Sequence, residues 1–198
     1  MNAQQKKNNR TVIIIFAMSI IPFGIAWFLS SNATWMGGGT NQGQLITPPA
    51  TTEFVEFVGF DDFSVENIHE IKGHWVLVNV IPSTNCNEVC LQAIHKTKQL
   101  RLMINKDLTR VRRLVLVMAD TDKTMAKSWW KDDLRLLRAK PAASLSEKIN
   151  KIRAAGIPEG MLFLMDPLGN IMMQYEPDFD PYKVKSDLRK LLKISQIG

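Results

Sequence analysis

The chain changes character sharply along its length. From Val12 to Leu29 it reads Val-Ile-Ile-Ile-Phe-Ala-Met-Ser-Ile-Ile-Pro-Phe-Gly-Ile-Ala-Trp-Phe-Leu, without a charged side chain. Such a run has about the minimum length for a helix crossing a hydrocarbon core of roughly 30 Å. It is longer than the apolar region of a secretory signal, which has roughly 7–15 residues. Pro22 and Gly24 inside it and Trp27 near its end are all acceptable in a membrane helix. Lys6, Lys7 and Arg10 precede it, and a basic flank predicts a cytoplasmic amino terminus. Ser31-Asn32-Ala33 resembles a signal cleavage site only loosely, so an uncleaved anchor is the expectation. The chain thus reads as a single-pass protein of a bacterial inner membrane. Residues 1–11 are cytoplasmic, residues 12–30 form the anchor, with residues 12–29 in the bilayer, and the remainder is periplasmic.

Residues 31–50 show no period and contain Gly37-Gly38-Gly39 and Pro48-Pro49, the composition of a linker. From Thr51 onward the pattern is globular, which predicts one domain over residues 51–198. Phe54 to Val58 is short and strand-like. Trp75 to Ile81 is almost wholly apolar and rich in β-branched residues, as in a strand covered on both faces. A helix is expected from Cys86 to about Asn105, and a second buried strand over Leu114 to Met118. Met125 to Arg138 and Ser146 to Ala155 follow as helices, the latter ended by Gly156. Met161 to Met165 and Ile171 to Tyr175 flank the turn Asp166-Pro167-Leu168-Gly169-Asn170 and predict a hairpin. Asp180-Pro181 opens the last helix as N-cap and first residue, with Val184, Leu188, Leu191 and Leu192 on one stripe. The first two core strands need a crossover helix and should be parallel. A mixed central sheet flanked by helices, an α/β fold, is the result.

At 198 residues with 45% hydrophobic content the chain suits one domain plus accessories. Its net charge of +6 and pI near 9.4 come without a cluster of basic and aromatic residues, so nucleic acid is not an expected partner. The sequence holds 2 cysteines, Cys86 and Cys90. A close pair is a small-loop disulfide, a redox pair or half of a metal site. In the first turn of a helix behind a strand, free N–H groups and the helix dipole stabilise a thiolate. Helical neighbours four apart have Cβ atoms roughly 5–6 Å apart, and a disulfide needs roughly 3.5–4.5 Å. A small local tightening would therefore close the bridge. A loop this short constrains the unfolded chain little, which weakens the reading as a mere staple.

Three stretches resemble the Sco/SenC family of membrane-anchored, thioredoxin-fold proteins that assist copper-site assembly in cytochrome c oxidase. Lys72-Gly73-His74-Trp75-Val76-Leu77-Val78 is similar to that family's lead-in strand. Thr84-Asn85-Cys86-Asn87-Glu88-Val89-Cys90 is similar to its copper motif T-H-C-P-x-x-C-P. Phe163-Leu164-Met165-Asp166-Pro167-Leu168-Gly169 is similar to its Y-L-x-D-P-x-G turn. The similarity spans about residues 52–195. It implies a thioredoxin-like fold, Cys86 and Cys90 as the reactive pair or as copper ligands, and a respiratory oxidase subunit or another redox or copper protein as partner. The chain departs from the family where Asn87 and Leu91 follow the cysteines in place of proline. The third copper ligand of the family is a histidine, and Pro158 stands at that position, with no histidine after His95. Gly156-Ile157-Pro158 before a strand resembles the cis-proline loop of thioredoxins, which faces the reactive cysteines.

The expected function is assistance to cytochrome c oxidase biogenesis by thiol–disulfide exchange at Cys86 and Cys90, with Pro158 beside them. Cu(I) delivery through the same cysteines, or a redox-inactive scaffold for the oxidase, are the competing readings. His69, His74 and His95 read as surface residues, His95 pointing away from the pair. Met161, Met165, Met172 and Met173 read as core. One of Trp129 and Trp130 should be core. Asp120 and Asp122 either tune the cysteine site or cap a helix.

Overall fold

A computed structural model describes residues 3–31 and 40–197. The chain divides into two units, Met1–Thr40 and Asn41–Gly198. The first is helix α1, Ala3–Ser31, of which Asn8–Ser31 has the length and mean hydropathy (2.5) to cross a membrane. The helix begins before the apolar run, so part of the expected cytoplasmic flank is helical. The Gly37–Gly39 part of the expected linker lies outside the described residues.

The second unit is built on seven strands: β1 Gln44–Thr51, β2 Phe57–Gly59, β3 Trp75–Ile81, β4 Val111–Val117, β5 Leu137–Pro141, β6 Leu162–Met165 and β7 Asn170–Tyr175. Their order across one sheet is β1-β7-β6-β3-β4-β5-β2. β3 and β4 run parallel through the full register Trp75↔Val111 to Ile81↔Val117. β6 joins β3 antiparallel, and β6 and β7 form the expected hairpin. The helices are α2 Asp62–Asn67, α3 Glu88–Met103, α4 Lys123–Ala126, α5 Ala143–Ile152 and α6 Pro181–Ile194.

Two core layers explain why β3 reads as continuously apolar. Val76, Val78 and Val80 join Leu114, Leu116, Phe163, and Leu145 and Ile149 of α5. Trp75 and Leu77 face the other way, onto Ala93 and Leu100 of α3 and Val184, Leu188 and Leu192 of α6. The α6 stripe and its Asp180 cap, which accepts from the Tyr182 N–H at 2.8 Å, are as expected.

Two expectations fail. Gln44–Thr51 is not linker: it is the edge strand β1, antiparallel to β7. Ile46 and Ala50 pack on the core. The Asp187 carboxylate accepts from the Gln42 and Gly43 N–H groups at 2.7 and 2.9 Å. Burial and Asp187 also push the Tyr175 phenol far above its ordinary value. The second failure is the helix over Met125–Arg138. Helix α4 and a 3-10 turn over Lys127–Trp130 are short, and Leu137–Pro141 becomes β5, parallel to β4. Pairing on both edges, to β4 and to β2, outweighs the helix propensity of Leu, Arg, Ala and Lys.

Candidate functional site

The carboxyl end of β3 delivers the chain into an exposed loop, Ser83–Asn85, and then to the cysteines. Cys86 and Cys90 are joined by a disulfide with Cα atoms 5.3 Å apart. Helix α3 starts later than expected, at Glu88, with Asn87 as N-cap. The Asn87 side chain accepts from the Cys90 N–H at 3.0 Å. Cys86 therefore lies before the cap rather than in the first helical turn. That placement removes the helical spacing constraint and lets the bridge close without distorting the helix. Cys86 sits against the positive end of α3, where a thiolate is favoured.

Both sulfurs are covered: Cys86 is 4% and Cys90 2% exposed. They pack with Ile81, Val117, Ile94, Ala126 and Trp130. Trp130 is the core member of its pair, edge-on to Phe60 and to Trp129. Asp122 is a cap, accepting from the Thr124 and Met125 N–H groups, and Asp120 pairs with Lys140 at 2.7 Å.

The loop before β6, which contains Pro158, reaches the cysteine loop through Glu159 and Gly160. The Ile157–Pro158 peptide is trans; the cis bond among the described residues is Thr47–Pro48. Gly156 and Gly160, at φ +89° and +82°, turn the chain on both sides, so proline needs no cis bond. The Pro158 carbonyl accepts from the Met161 N–H at 3.4 Å. Contact with the cysteine loop comes from its two successors. Ser83 Oγ lies within hydrogen-bond distance of both Glu159 Oε1 and the Asn85 carbonyl, its single proton shared between the two acceptors. Glu159 Oε2 is buried without a hydrogen-bond partner. A Cβ on Gly160 would stand 2.7 Å from Val89 Cγ1 and 3.1 Å from the Val89 carbonyl, so glycine lets this loop lie on the first turn of α3. Ser83, Glu159 and Gly160 are functional neighbours that sequence reasoning did not single out. The Pro-Glu-Gly triplet signals a turn, but nothing local pairs Glu159 with a serine 76 residues away.

The donor set does not fit a three-ligand copper centre. Pro158 has no donor nitrogen, and the Nε2 of the exposed His95 on α3 contacts Gln99 Nε2 at 3.0 Å. His74 Nδ1 lies on the Lys72 carbonyl. Among the described residues no three His, Cys, Asp or Glu side chains converge. Two thiolates alone suit only a soft Cu(I) ion, and here they are oxidised.

No curated protein matches the chain. Among solved structures, copper-bound yeast Sco1 is 14% identical, with 63% of this chain and 82% of that chain aligned at a TM-score of 0.50. BsSco, described as a member of the Sco family of cytochrome c oxidase assembly proteins with a disulfide switch, is 18% identical (63% and 84% covered, TM-score 0.46). The thioredoxin domain of a thiol-disulfide oxidoreductase from Bacteroides vulgatus is 14% identical (62% and 82% covered, TM-score 0.44). The Sco1 likeness establishes the thioredoxin-like fold that the Sco/SenC-like motifs imply. Since a family model described as "Transmembrane-like, thioredoxin-like, C-terminal domain" matches residues 75–195, most of the folded unit, the chain belongs to that family.

Proposed function

We propose that the protein is a membrane-anchored, Sco-like thiol–disulfide exchange factor that assists cytochrome c oxidase biogenesis, with its folded unit in the periplasm. The observation that carries the reading is the Cys86–Cys90 disulfide between β3 and the start of α3. It is supported by the apolar helix α1.

In the reduced protein the Cys86 thiolate attacks one sulfur of a disulfide in the target. A Cys86–target disulfide forms, and the target's other sulfur leaves as a thiolate. The Cys90 thiolate then attacks Cys86 Sγ and displaces the target's remaining thiolate. Two electrons pass to the target, and the pair returns as the disulfide seen here. An external dithiol restores the reduced form by the same steps in reverse. Cys86 is the attacking residue because it precedes the helix, while Cys90 is fixed in the first turn. The Ser83–Glu159 bond ties the loop before β6 to the loop that leads into Cys86, and Ile81, Ile94, Val117, Ala126 and Trp130 pack with the pair, so exchange requires that this packing open.

The test equilibrates the full chain, in detergent, with glutathione buffers of graded poise and traps free thiols with a mass-shifting maleimide. A reversible two-electron transition confined to Cys86 and Cys90 is expected. A pair that stays locked in either form under native conditions rules the exchange out. In cells, oxidase activity lost on deletion should return with the wild-type chain and not with Cys86→Ser; rescue by Cys86→Ser would leave only a scaffold role.

A further inference from the structure

At the other end of the parallel pair, Arg101, Arg112, Arg113 and Arg135 line one cleft of about 420 Å³ together with Glu70, although the Arg113 guanidinium itself is taken up by Asp133, Thr97 and the Ile94 carbonyl. They come from the end of α3, the start of β4 and the segment before β5. The chain runs from this end of β3 and β4 toward the disulfide, so the cleft and the cysteines occupy opposite sheet ends. Two of the charges are matched. Arg112 Nε donates to Glu70 Oε2 at 2.8 Å, and Arg113 Nη1 donates to Asp133 Oδ2 at 2.5 Å. Arg101 reaches only carbonyls, those of Val111 and Leu108, at 3.1 and 3.4 Å. Arg135 is exposed and its side chain takes part in no hydrogen bond or ion pair among the described residues. Two unneutralised guanidiniums thus share a concave site with two paired ones. Converging like charges cost stability unless an anion joins them.

We propose that this cleft binds a dianionic phosphate group, supplied either by a free anion or by a phosphomonoester lipid headgroup. Arg135 presents an open planar fork of N–H donors that matches two phosphate oxygens, and Arg101 and Arg112, each with its Nε and one terminal nitrogen already bonded, can add donors from their remaining terminal nitrogens. A monocarboxylate matches one fork and brings half the charge. Glu70 and Asp133 already fill that role for Arg112 and Arg113. Burial, followed by the positive charges of Arg112, Arg113 and Arg135, pushes the Arg101 guanidinium below its ordinary value, a penalty that an anion in the cleft would reverse.

The experiment follows the arginine Nε–Hε resonances of the isotope-labelled full chain. One arm uses zwitterionic detergent and adds inorganic phosphate, with acetate at matched ionic strength as control. A second arm uses nanodiscs of phosphatidylcholine with and without phosphatidate. Saturable shifts at Arg101 and Arg135 are expected in at least one arm, weakened about tenfold or more by Arg135→Gln, the loss of a charge-assisted contact. Response to inorganic phosphate identifies a free anion, and response to phosphatidate alone identifies the lipid. If Arg135→Gln is poorly folded, Arg112→Gln takes its place. Shifts that never saturate, that acetate reproduces, or that the variants leave unchanged overturn the proposal. Because none of these readings involves the cysteines, failure here leaves the exchange reading intact, and the converse holds.

Discussion

At the scale of single residues, the Ser83–Glu159 bond fastens the loop before β6 to the loop that leads into the disulfide. A hydrogen bond to a carboxylate is worth about 1.5–3 kcal/mol, so its loss should loosen the loop that leads into Cys86. Ser83→Ala and Glu159→Gln are expected to speed reduction of Cys86–Cys90 by dithiothreitol about tenfold, measured by thiol trapping against time, with the sheet intact by circular dichroism. An unchanged rate in both would mean that the loop does not guard the sulfurs. The cysteines themselves were legible from the sequence, because two cysteines behind a buried strand stand out. Their exact placement was not: Asn87 claims the cap through a bond to Cys90, and a cap residue in place of the expected proline shifts the helix start past Cys86. In the loop that holds Pro158, the contacts with the cysteine loop fall to Glu159 and Gly160, whose partners lie far away in sequence.

At the scale of elements, a buried polar chain ties α3 to the sheet. Thr97 Oγ1 donates to Asn79 Oδ1 at 2.8 Å and accepts from Arg113 Nε at 3.2 Å. Arg113, 4% exposed at the side chain, ends on Asp133. Removing one partner of such a pair leaves a buried charge alone and typically costs about 3–5 kcal/mol. Asp133→Ala should therefore lower the unfolding free energy from denaturant titration by an amount in that range, and a change under about 1 kcal/mol would show that water reaches Arg113. This network also explains an error of sequence reading. The segment Lys131–Lys140 is rich in helix formers, yet Asp133 is held by Arg113 and Leu137 pairs with Leu114, contacts that no local pattern records. The strands β3, β4, β6 and β7 were legible because each has an apolar run or a turn signal of its own. Strands β1 and β5 carry prolines or charges and are strands only by virtue of their neighbours.

For the molecule as a whole, Glu56 couples the start of the folded unit to α5. Its carboxylate accepts from Lys148 Nζ at 2.9 Å, from Ser144 Oγ at 2.5 Å and from the Glu53 N–H at 2.8 Å. Burial raises its pKa, but Lys148, Ser144 and the Glu53 N–H together lower it further, so the group titrates below the ordinary glutamate value. A lowered folded-state pKa means stability that is fully present above the unfolded value, about 4.3, and is lost as pH falls through the folded one. Thermal melts from pH 6 down to about 3 should show that loss, and Glu56→Gln should flatten the acid limb while lowering stability at neutral pH. An unchanged acid limb would locate the linkage elsewhere.

Strand β1 closes the sheet on the β7 side, and its sequence decides what can happen beyond it. A free strand edge is a template on which another chain can add, the first step of aggregation. Pro48 and Pro49 in β1 lack the N–H groups such an addition needs, and the register breaks between Leu45 and Ala50. The prolines that made this segment look like a spacer therefore give the sheet an edge that neighbouring copies cannot readily extend, and a chain shorn of β1 would offer the proline-free edge of β7 in its place.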